Sequence, residues 1–185
     1  MAVNELNLIL DKLSFDENRP DESIRHNYSG YEIVLLAIEI EKMGHMFYTR
    51  AEKLAITEEV KEMFRTMAKE ELDHIKIINR EIEPMFKNED DYTWENEENV
   101  SQYLTRTSGG SVFANPDSVK KLLEQVDTHE EAVELCLKGE KKAIAFYKKV
   151  MDQTSGEEGK TAIKRILDEE IKHVERLENL RKNSF

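Results

Sequence analysis

A Glu-x-x-His pair on an otherwise apolar helical stripe occurs twice in this chain, and no other feature constrains the fold as strongly. The pairs are Glu71 with His74 and Glu170 with His173. Around each pair, apolar residues recur three and four positions apart, which is the pattern of a helix packed in a bundle. A buried carboxylate and imidazole cost free energy unless a partner satisfies them, and one turn apart they can share one cation. A single pair is readily explained as a hydrogen-bonded core histidine. The occurrence of two such pairs is what favours a shared site.

The repetition extends over two long segments. Residues 31–80 align with residues 130–179 without a gap, at a shift of 99 positions, and 13 of the 50 positions are identical. In each copy one inward glutamate, Glu41 or Glu140, precedes the Glu of the pair by 30 residues and the His by 33. Two helical hairpins with these spacings form a four-helix bundle in which four Glu and two His converge at mid-height.

The chain divides into an N-terminal arm and one bundle. Residues 1–27 contain a short amphipathic helical pattern and a polar linker, and residues 28–185 form the bundle. Within the bundle, residues 88–127 form a crossover between the two hairpins. A connection of this length can run along the whole bundle, so the second and third long helices can be parallel.

Local signals mark several helix ends. Thr57 is a predicted N-cap, and capping boxes begin at Thr128 and at Ser155. Pro84 is expected to bend or end the second helix. His129, in the first turn of the third helix, is expected to be solvated.

Composition excludes several classes of protein. With 39 acidic and 27 basic residues the formal charge is −12, which argues against nucleic acid or an anionic membrane as a partner. The single cysteine, Cys136, excludes an internal disulfide, a zinc ribbon and a four-cysteine iron centre. The N-terminus has no signal-peptide pattern and no apolar run can span a bilayer, so a cytoplasmic location is expected.

With these residues the chain resembles the ferritin-like di-iron carboxylate family, and within it the rubrerythrin-type branch. The most specific part of the resemblance is Glu-Lys-x5-Tyr followed by Glu-Glu-x2-His, present twice within residues 31–180. It implies an all-α, ferritin-like four-helix bundle with two iron ions per chain, manganese being possible, and a homodimer. Carried over by position, the resemblance implies terminal ligands Glu41 and Glu140, bridging ligands Glu71 and Glu170, and nitrogen ligands His74 and His173.

The chain departs from full rubrerythrins in two respects. It has no rubredoxin-like four-cysteine module, so a separate protein is expected to donate electrons. Rubrerythrins carry an extra Glu three residues after the first ligand of the second repeat, where this chain has Ala143, which brings the site nearer the symmetric bacterioferritin-type set. His45, one turn after Glu41, could offer a further ligand, but its repeat counterpart is Ile144, which argues against that role.

The resemblance implies a non-haem di-iron oxidoreductase, a rubrerythrin-like peroxidase or ferroxidase that reduces hydrogen peroxide or O2 while each iron gives one electron. Carboxylate and imidazole donors without thiolate suit iron or manganese. One alternative is an iron-binding, ferroxidase-type iron-handling protein without a dedicated electron partner. Another is a redox-silent bundle that keeps the ligands, and a manganese pair would suit a catalase-like reaction.

Two tyrosines occupy matching positions near the expected site. Tyr48 and Tyr147 follow Glu41 and Glu140 by seven residues, two turns along the same face of a helix. Either they hydrogen-bond a metal ligand or an oxygen species, or they are core aromatics whose hydroxyls are satisfied elsewhere. The sequence leaves both interpretations open.

Overall fold

The structure is a computed structural model that describes residues 30–86, 116–154 and 156–184. The predicted N-terminal arm, most of the predicted crossover and Ser155 of the second predicted capping box lie outside the described residues. In chain order the helices are α1, Gly30–Leu54; α2, Glu58–Ile77; α3, Glu83–Phe86; α4, Pro116–Glu124; α5, His129–Gln153; and α6, Glu157–Ser184. The described part of the chain contains no strand, and the all-α prediction is confirmed.

Threonine side chains cap two of the long helices as predicted. The Thr57 hydroxyl accepts a hydrogen bond from the backbone N–H of Val60, at 3.3 Å. The Thr128 hydroxyl accepts one from the Glu131 backbone at 3.2 Å, and the Glu131 carboxylate accepts one from the Thr128 backbone. This reciprocal pair is a capping box, which satisfies donors that a helix start would otherwise leave open.

The sequence predicted a solvated His129, and this prediction is wrong. Its side chain is 6% exposed, and its ring packs edge-on against Phe64 of α2 with the ring centroids 6.1 Å apart. Burial lowers the pKa of His129, so its neutral form is favoured. A position in the first turn of a helix therefore says little about exposure when a neighbouring helix covers that turn.

The second helix changes its geometry before Pro84. A π-helical segment, Ile78–Ile82, joins α2 to α3, and the N–H of Glu83 donates to the carbonyl of Ile78, five residues back. In an α-helix the ring of Pro84 would crowd the carbonyl of Arg80. Pro84 also has no backbone N–H, so it could not donate a hydrogen bond to that carbonyl. The wider π turn lets the chain continue helically, so the proline alters the helix without ending it.

The four long helices close a ring around two apolar clusters. Contacts join α1 to α2, α2 to α6, α6 to α5 and α5 to α1. We name the clusters the distal cluster, which includes Phe64, Met67 and Leu135, and the proximal cluster, which includes Ile163 and Ile166. Helices α2 and α5 both run from the distal to the proximal cluster, whereas α1 and α6 run the opposite way. Each hairpin is therefore antiparallel, and α2 and α5 are parallel to each other.

None of the helices in the described ranges is both long and apolar enough to cross a membrane. The long helices bury most of their large apolar residues in the two clusters, with Leu72 and Ile171 among the exceptions.

Candidate metal centre

Between the two apolar clusters, each long helix contributes a buried acidic side chain. On α1 and α5 this is a lone glutamate, and on α2 and α6 it is a Glu-x-x-His pair whose members lie one turn apart and face the same way. The structure brings together all six residues that the sequence predicted as ligands. They are Glu41, Glu71, His74, Glu140, Glu170 and His173, and all six are buried.

These side chains form two sets of four potential donors, and in each set the donor atoms lie within 4.8 Å of one another. Glu71 and Glu170 belong to both sets. Each set therefore offers three carboxylates and one imidazole, with two carboxylates shared. The first set is Glu41, Glu71, His74 and Glu170, and the second is Glu71, Glu140, Glu170 and His173.

Both imidazoles point the Nδ1 atom at the carboxylates. In the first set the Nδ1 atom of His74 lies 3.0 Å from both Glu41 and Glu170. In the second set the Nδ1 atom of His173 lies 3.2 Å from Glu170 and 3.3 Å from Glu71. The two rings are stacked with centroids 5.9 Å apart and planes 28° from parallel. The two sets thus face each other across the shared carboxylates.

The two tyrosines bond the glutamates crosswise between repeats. Tyr48 on α1 donates to Oε1 of Glu140 on α5, and Tyr147 on α5 donates to Oε1 of Glu41 on α1. The sequence placed each tyrosine near the glutamate of its own helix. The bonds cross because α1 and α5 are antiparallel neighbours. Burial raises the pKa of both tyrosines, so both stay protonated donors at neutral pH.

The four carboxylates differ in their preferred protonation. Burial raises the pKa of Glu41 and Glu140, and repulsion from Glu170 raises both further. Burial also opposes ionisation of Glu71 and Glu170, but hydrogen bonds with the two imidazoles outweigh it and lower the pKa of both. Without metal, the shared carboxylates therefore favour the charged form and the other two favour the neutral form.

The two histidines favour the charged form in the same metal-free state. Burial alone would lower the pKa of His74, but hydrogen bonds with Glu170, Glu41 and Glu71 raise it to about 12. The surrounding carboxylates likewise raise the pKa of His173 far above its ordinary value. Two imidazolium charges then balance two ionised carboxylates, and a metal ion must displace protons to bind.

Several buried atoms of the cluster approach other polar side chains but make no hydrogen bond of good geometry within the described residues. Buried polar atoms are normally satisfied, so these atoms need another partner. Carboxylate oxygens and imidazole nitrogen suit iron or manganese, and neither donor set contains a thiolate. The donor set therefore fits a divalent cation pair of this kind. The atoms are Oε1 of Glu71, Oε2 of Glu140, Oε1 of Glu170 and Nδ1 of His173.

Gly44 leaves room for a shared carboxylate. A Cβ atom on Gly44 would lie 2.8 Å from the carboxylate carbon of Glu71, closer than real contacts allow. At the matching position of the second repeat stands Ala143, which is buried. Sequence reasoning did not identify Gly44, although a glycine inside a helix costs about 1 kcal/mol and so signals a local requirement.

Two other side chains beside the site were not identified from the sequence. Glu70 contacts His173 with Oε2 3.1 Å from Nε2, and Arg176 pairs with the same carboxylate at 2.6 Å. The sequence did offer a signal for Glu70, because each repeat contains two adjacent glutamates. Which of them faces a neighbouring helix could not be deduced from spacing within one helix.

His45 belongs to neither donor set among the described residues. Its Nδ1 atom lies 2.8 Å from the carbonyl oxygen of Ala68 on α2, and because a carbonyl only accepts, this nitrogen donates. The bond anchors His45 to the backbone of α2. It agrees with the comparison with Ile144, which argued against His45 as a metal ligand. Cys136 is buried and lies outside both donor sets.

A family model described as rubrerythrin matches residues 32–181. The chain belongs to the rubrerythrin family. The matched range includes nearly all of both repeats and all six residues of the cluster, and the predicted family is confirmed. A search of curated proteins and a search of solved structures each gave no match.

Proposed function

We propose that this rubrerythrin-family chain binds two iron ions at the carboxylate–histidine cluster and uses them to reduce hydrogen peroxide or O2. The observation that carries the proposal is the pair of buried donor sets that share Glu71 and Glu170. Two sets joined by two carboxylates fit a pair of cations, because each cation then has its own imidazole and the shared carboxylates offset the repulsion between them.

The proposed ligand roles follow from the two sets. Glu41 and His74 belong to the first set alone, and each would bind one ion only. Glu140 and His173 would bind the other ion in the same way. The residues common to both sets would bridge. Manganese satisfies the same donors, so the identity of the metal is part of the proposal.

When bound, an iron pair supplies two electrons, one from each Fe(II), which is the number that reduction of a peroxide O–O bond requires. The side chains provide the setting for this chemistry. Four carboxylates offset the four positive charges of two Fe(II) ions. The apolar clusters on either side exclude water, which strengthens every electrostatic interaction inside the site.

The two tyrosines would hold the non-shared carboxylates in position. Each hydroxyl donates to one oxygen of Glu41 or Glu140, which restricts the rotation of that carboxylate and leaves its other oxygen for a metal. Because burial raises the pKa of Tyr48 and Tyr147, neither hydroxyl is ionised at neutral pH and both remain donors.

Repeated turnover needs an external source of electrons. Reduction of one hydrogen peroxide to two waters consumes two electrons and two protons, and the single Cys136 cannot form a four-cysteine iron centre in this chain. We therefore propose a separate electron-donor protein. The alternative is an iron-handling protein, in which cargo Fe(II) bound at the same cluster gives its electrons to O2 or hydrogen peroxide and no donor protein is needed. The homodimer and the cytoplasmic location stay predictions.

Peroxide consumption by the iron-loaded protein tests this function. With a rubredoxin-type reductant present, we expect many peroxide molecules to be consumed per chain, and Glu170→Ala to abolish this activity. Glu169→Ala is the matched control, because its carboxylate pairs with the exposed Lys172. Oxidation of only the loaded Fe(II), unchanged by reductant, would support the iron-handling alternative. Consumption that does not depend on metal would contradict both functions.

A further inference from the structure

The outer nitrogen of one histidine of the cluster has a charged partner. Nε2 of His173 lies 3.1 Å from Oε2 of Glu70, on the side of the ring away from the carboxylate cluster. Arg176 binds the same carboxylate through two nitrogens, at 2.6 Å from Oε2 and 3.4 Å from Oε1. Glu70 is partly buried, with 28% of its side chain exposed. Arg176 therefore limits the freedom of Glu70, and Glu70 limits that of the ring.

This contact determines which nitrogen can bind a metal. A carboxylate only accepts hydrogen bonds, so Nε2 of His173 carries the hydrogen that Glu70 accepts. In a neutral imidazole the other nitrogen then has a free lone pair. That nitrogen, Nδ1, is the one that faces Glu71, Glu140 and Glu170. When a metal displaces the Nδ1 proton of the imidazolium, Glu70 therefore keeps the hydrogen on Nε2. The ring is then held in the orientation and the tautomer that present Nδ1 to the centre.

The first histidine lacks this arrangement within the described residues. The repeat counterpart of Glu70 is Glu169, whose carboxylate pairs with the exposed Lys172 at 2.7 Å. The counterpart of Arg176 is Ile77, which has no charge to hold a carboxylate. In the part of the chain that the structure describes, the ion pairs of His74 all involve Nδ1. Among the described residues, the two repeats therefore offer the same donors but give their two histidines different outer partners.

We propose that Glu70, clamped by Arg176, is a positioning residue that fixes His173 and makes its metal position the tighter of the two. The inference rests on the proposed metal site and adds to it an order of filling. Glu70 belongs to neither donor set, so it acts only through the ring of His173. Loss of such an outer partner of a metal-binding histidine lowers metal affinity about 10- to 100-fold.

Stepwise Fe(II) titration under anaerobic conditions, followed by calorimetry, tests the proposal with three variants. The wild type is expected to bind two ions in two steps of unequal affinity. Glu70→Ala should weaken the tighter step about 10- to 100-fold and leave the other step unchanged. Glu70→Gln keeps the side-chain volume and one carbonyl acceptor, so a smaller loss is expected. Glu169→Ala, the matched control at the same position of the second repeat, should change neither step.

A spectroscopic readout separates positioning from a general effect on structure. In the Zn(II)-loaded protein with 15N-labelled histidine, the Nε2–H of His173 should exchange slowly with water because Glu70 and Arg176 protect it. Glu70→Ala should make this exchange fast, whereas Glu169→Ala should leave it slow. Slow exchange in Glu70→Ala, or equal weakening of both binding steps, would overturn the inference while the metal site stands. No metal uptake by the wild type would overturn the proposed function and this inference with it.

Discussion

The half of the centre around His74 and the half around His173 offer the same donors but differ in what surrounds them. A carboxylate and an arginine support His173 from outside, whereas in the described part of the chain the corresponding residues, Glu169 and Ile77, give His74 no such support. A glycine gives clearance to Glu71, where the second repeat has an alanine. The comparison teaches that the internal repeat specifies the donors, whereas the neighbouring helices specify how firmly each donor is held.

The largest effect is expected from the carboxylates that the two halves share. Glu71→Gln removes the charge that belongs to both donor sets, so binding should fall from two ions per chain to at most one, with affinity lowered more than about 100-fold. Equilibrium dialysis with metal analysis measures both quantities. Glu62→Gln, on the exposed face of the same helix, is the control. Two ions bound with unchanged affinity would show that Glu71 is not a shared ligand.

The next effect is a pH dependence common to both halves. The pKa of His74 is raised to about 12 and that of His173 is raised too, so metal binding at neutral pH displaces two imidazolium protons. It also displaces the protons of Glu41 and Glu140, whose neutral forms are favoured without metal. Affinity for the pair should therefore rise about tenfold per pH unit for each proton displaced. Mn(II) titrations between pH 6 and pH 8, in buffers of different ionisation enthalpy, measure the proton release. An affinity independent of pH would contradict the charged imidazoles.

The metal-free protein should show the opposite trend. The folded-state pKa of His74 lies above its unfolded value of about 6.5, so its contribution to stability is complete below that pH and is lost as pH rises toward 12. Denaturant unfolding at pH 7 and pH 9 should give a lower free energy of unfolding at pH 9 for the metal-free protein. Metal-loaded protein is the control, and a higher free energy at pH 9 without metal would contradict this assignment.

A smaller effect is expected where the halves differ in side-chain clearance. Gly44→Ala places a Cβ atom against the carboxylate of Glu71, which must turn away, so affinity at both positions should fall about tenfold. Alanine also favours the helix by about 1 kcal/mol, so thermal stability should change little. Ala143→Gly is the matched change in the other repeat and should lower stability without a comparable loss of affinity. If both substitutions lowered metal affinity equally, side-chain clearance would not distinguish the two halves.

The smallest effect is expected from the tyrosines, where the two halves are alike. Tyr48→Phe and Tyr147→Phe each remove one hydrogen bond to a buried carboxylate, which costs about 1–3 kcal/mol of stability. Stopped-flow oxidation of the Fe(II)-loaded protein by peroxide should slow severalfold in both variants, and by a similar factor. Unchanged rates would leave the tyrosines with a packing role. Slower oxidation in one variant alone would show that the two halves of the centre also differ in their tyrosines.

The helices and the convergence of the six residues could be predicted because both depend on periodicity within single helices. A column of apolar residues interrupted by Glu41, or by Glu71 and His74, defines the inward face without knowledge of the neighbouring helix. Within each hairpin, the thirty-residue spacing between the lone glutamate and the Glu-x-x-His pair then places them opposite each other on the two helices. The helix caps at Thr57 and Thr128 are likewise local, and the structure confirms them.

The remaining features depend on which helices are neighbours, and spacing does not contain that information. The crosswise bond from Tyr48 to Glu140 requires that α1 and α5 be adjacent and antiparallel. The burial of His129 requires Phe64 of another helix beside it, and the support of His173 requires Glu70 of α2. The π-helical segment before Pro84 depends on how the chain relieves a backbone clash, for which the sequence offers two outcomes, a bend or an end.

The central claim is that two donor sets sharing two carboxylates hold a pair of iron ions. Anaerobic Fe(II) titration of the metal-free protein, followed by peroxide and a near-ultraviolet spectrum, tests it most directly. We expect saturation at two irons per chain and a new near-ultraviolet absorption after peroxide. Saturation at one iron or none, or a spectrum that peroxide leaves unchanged, would contradict the account.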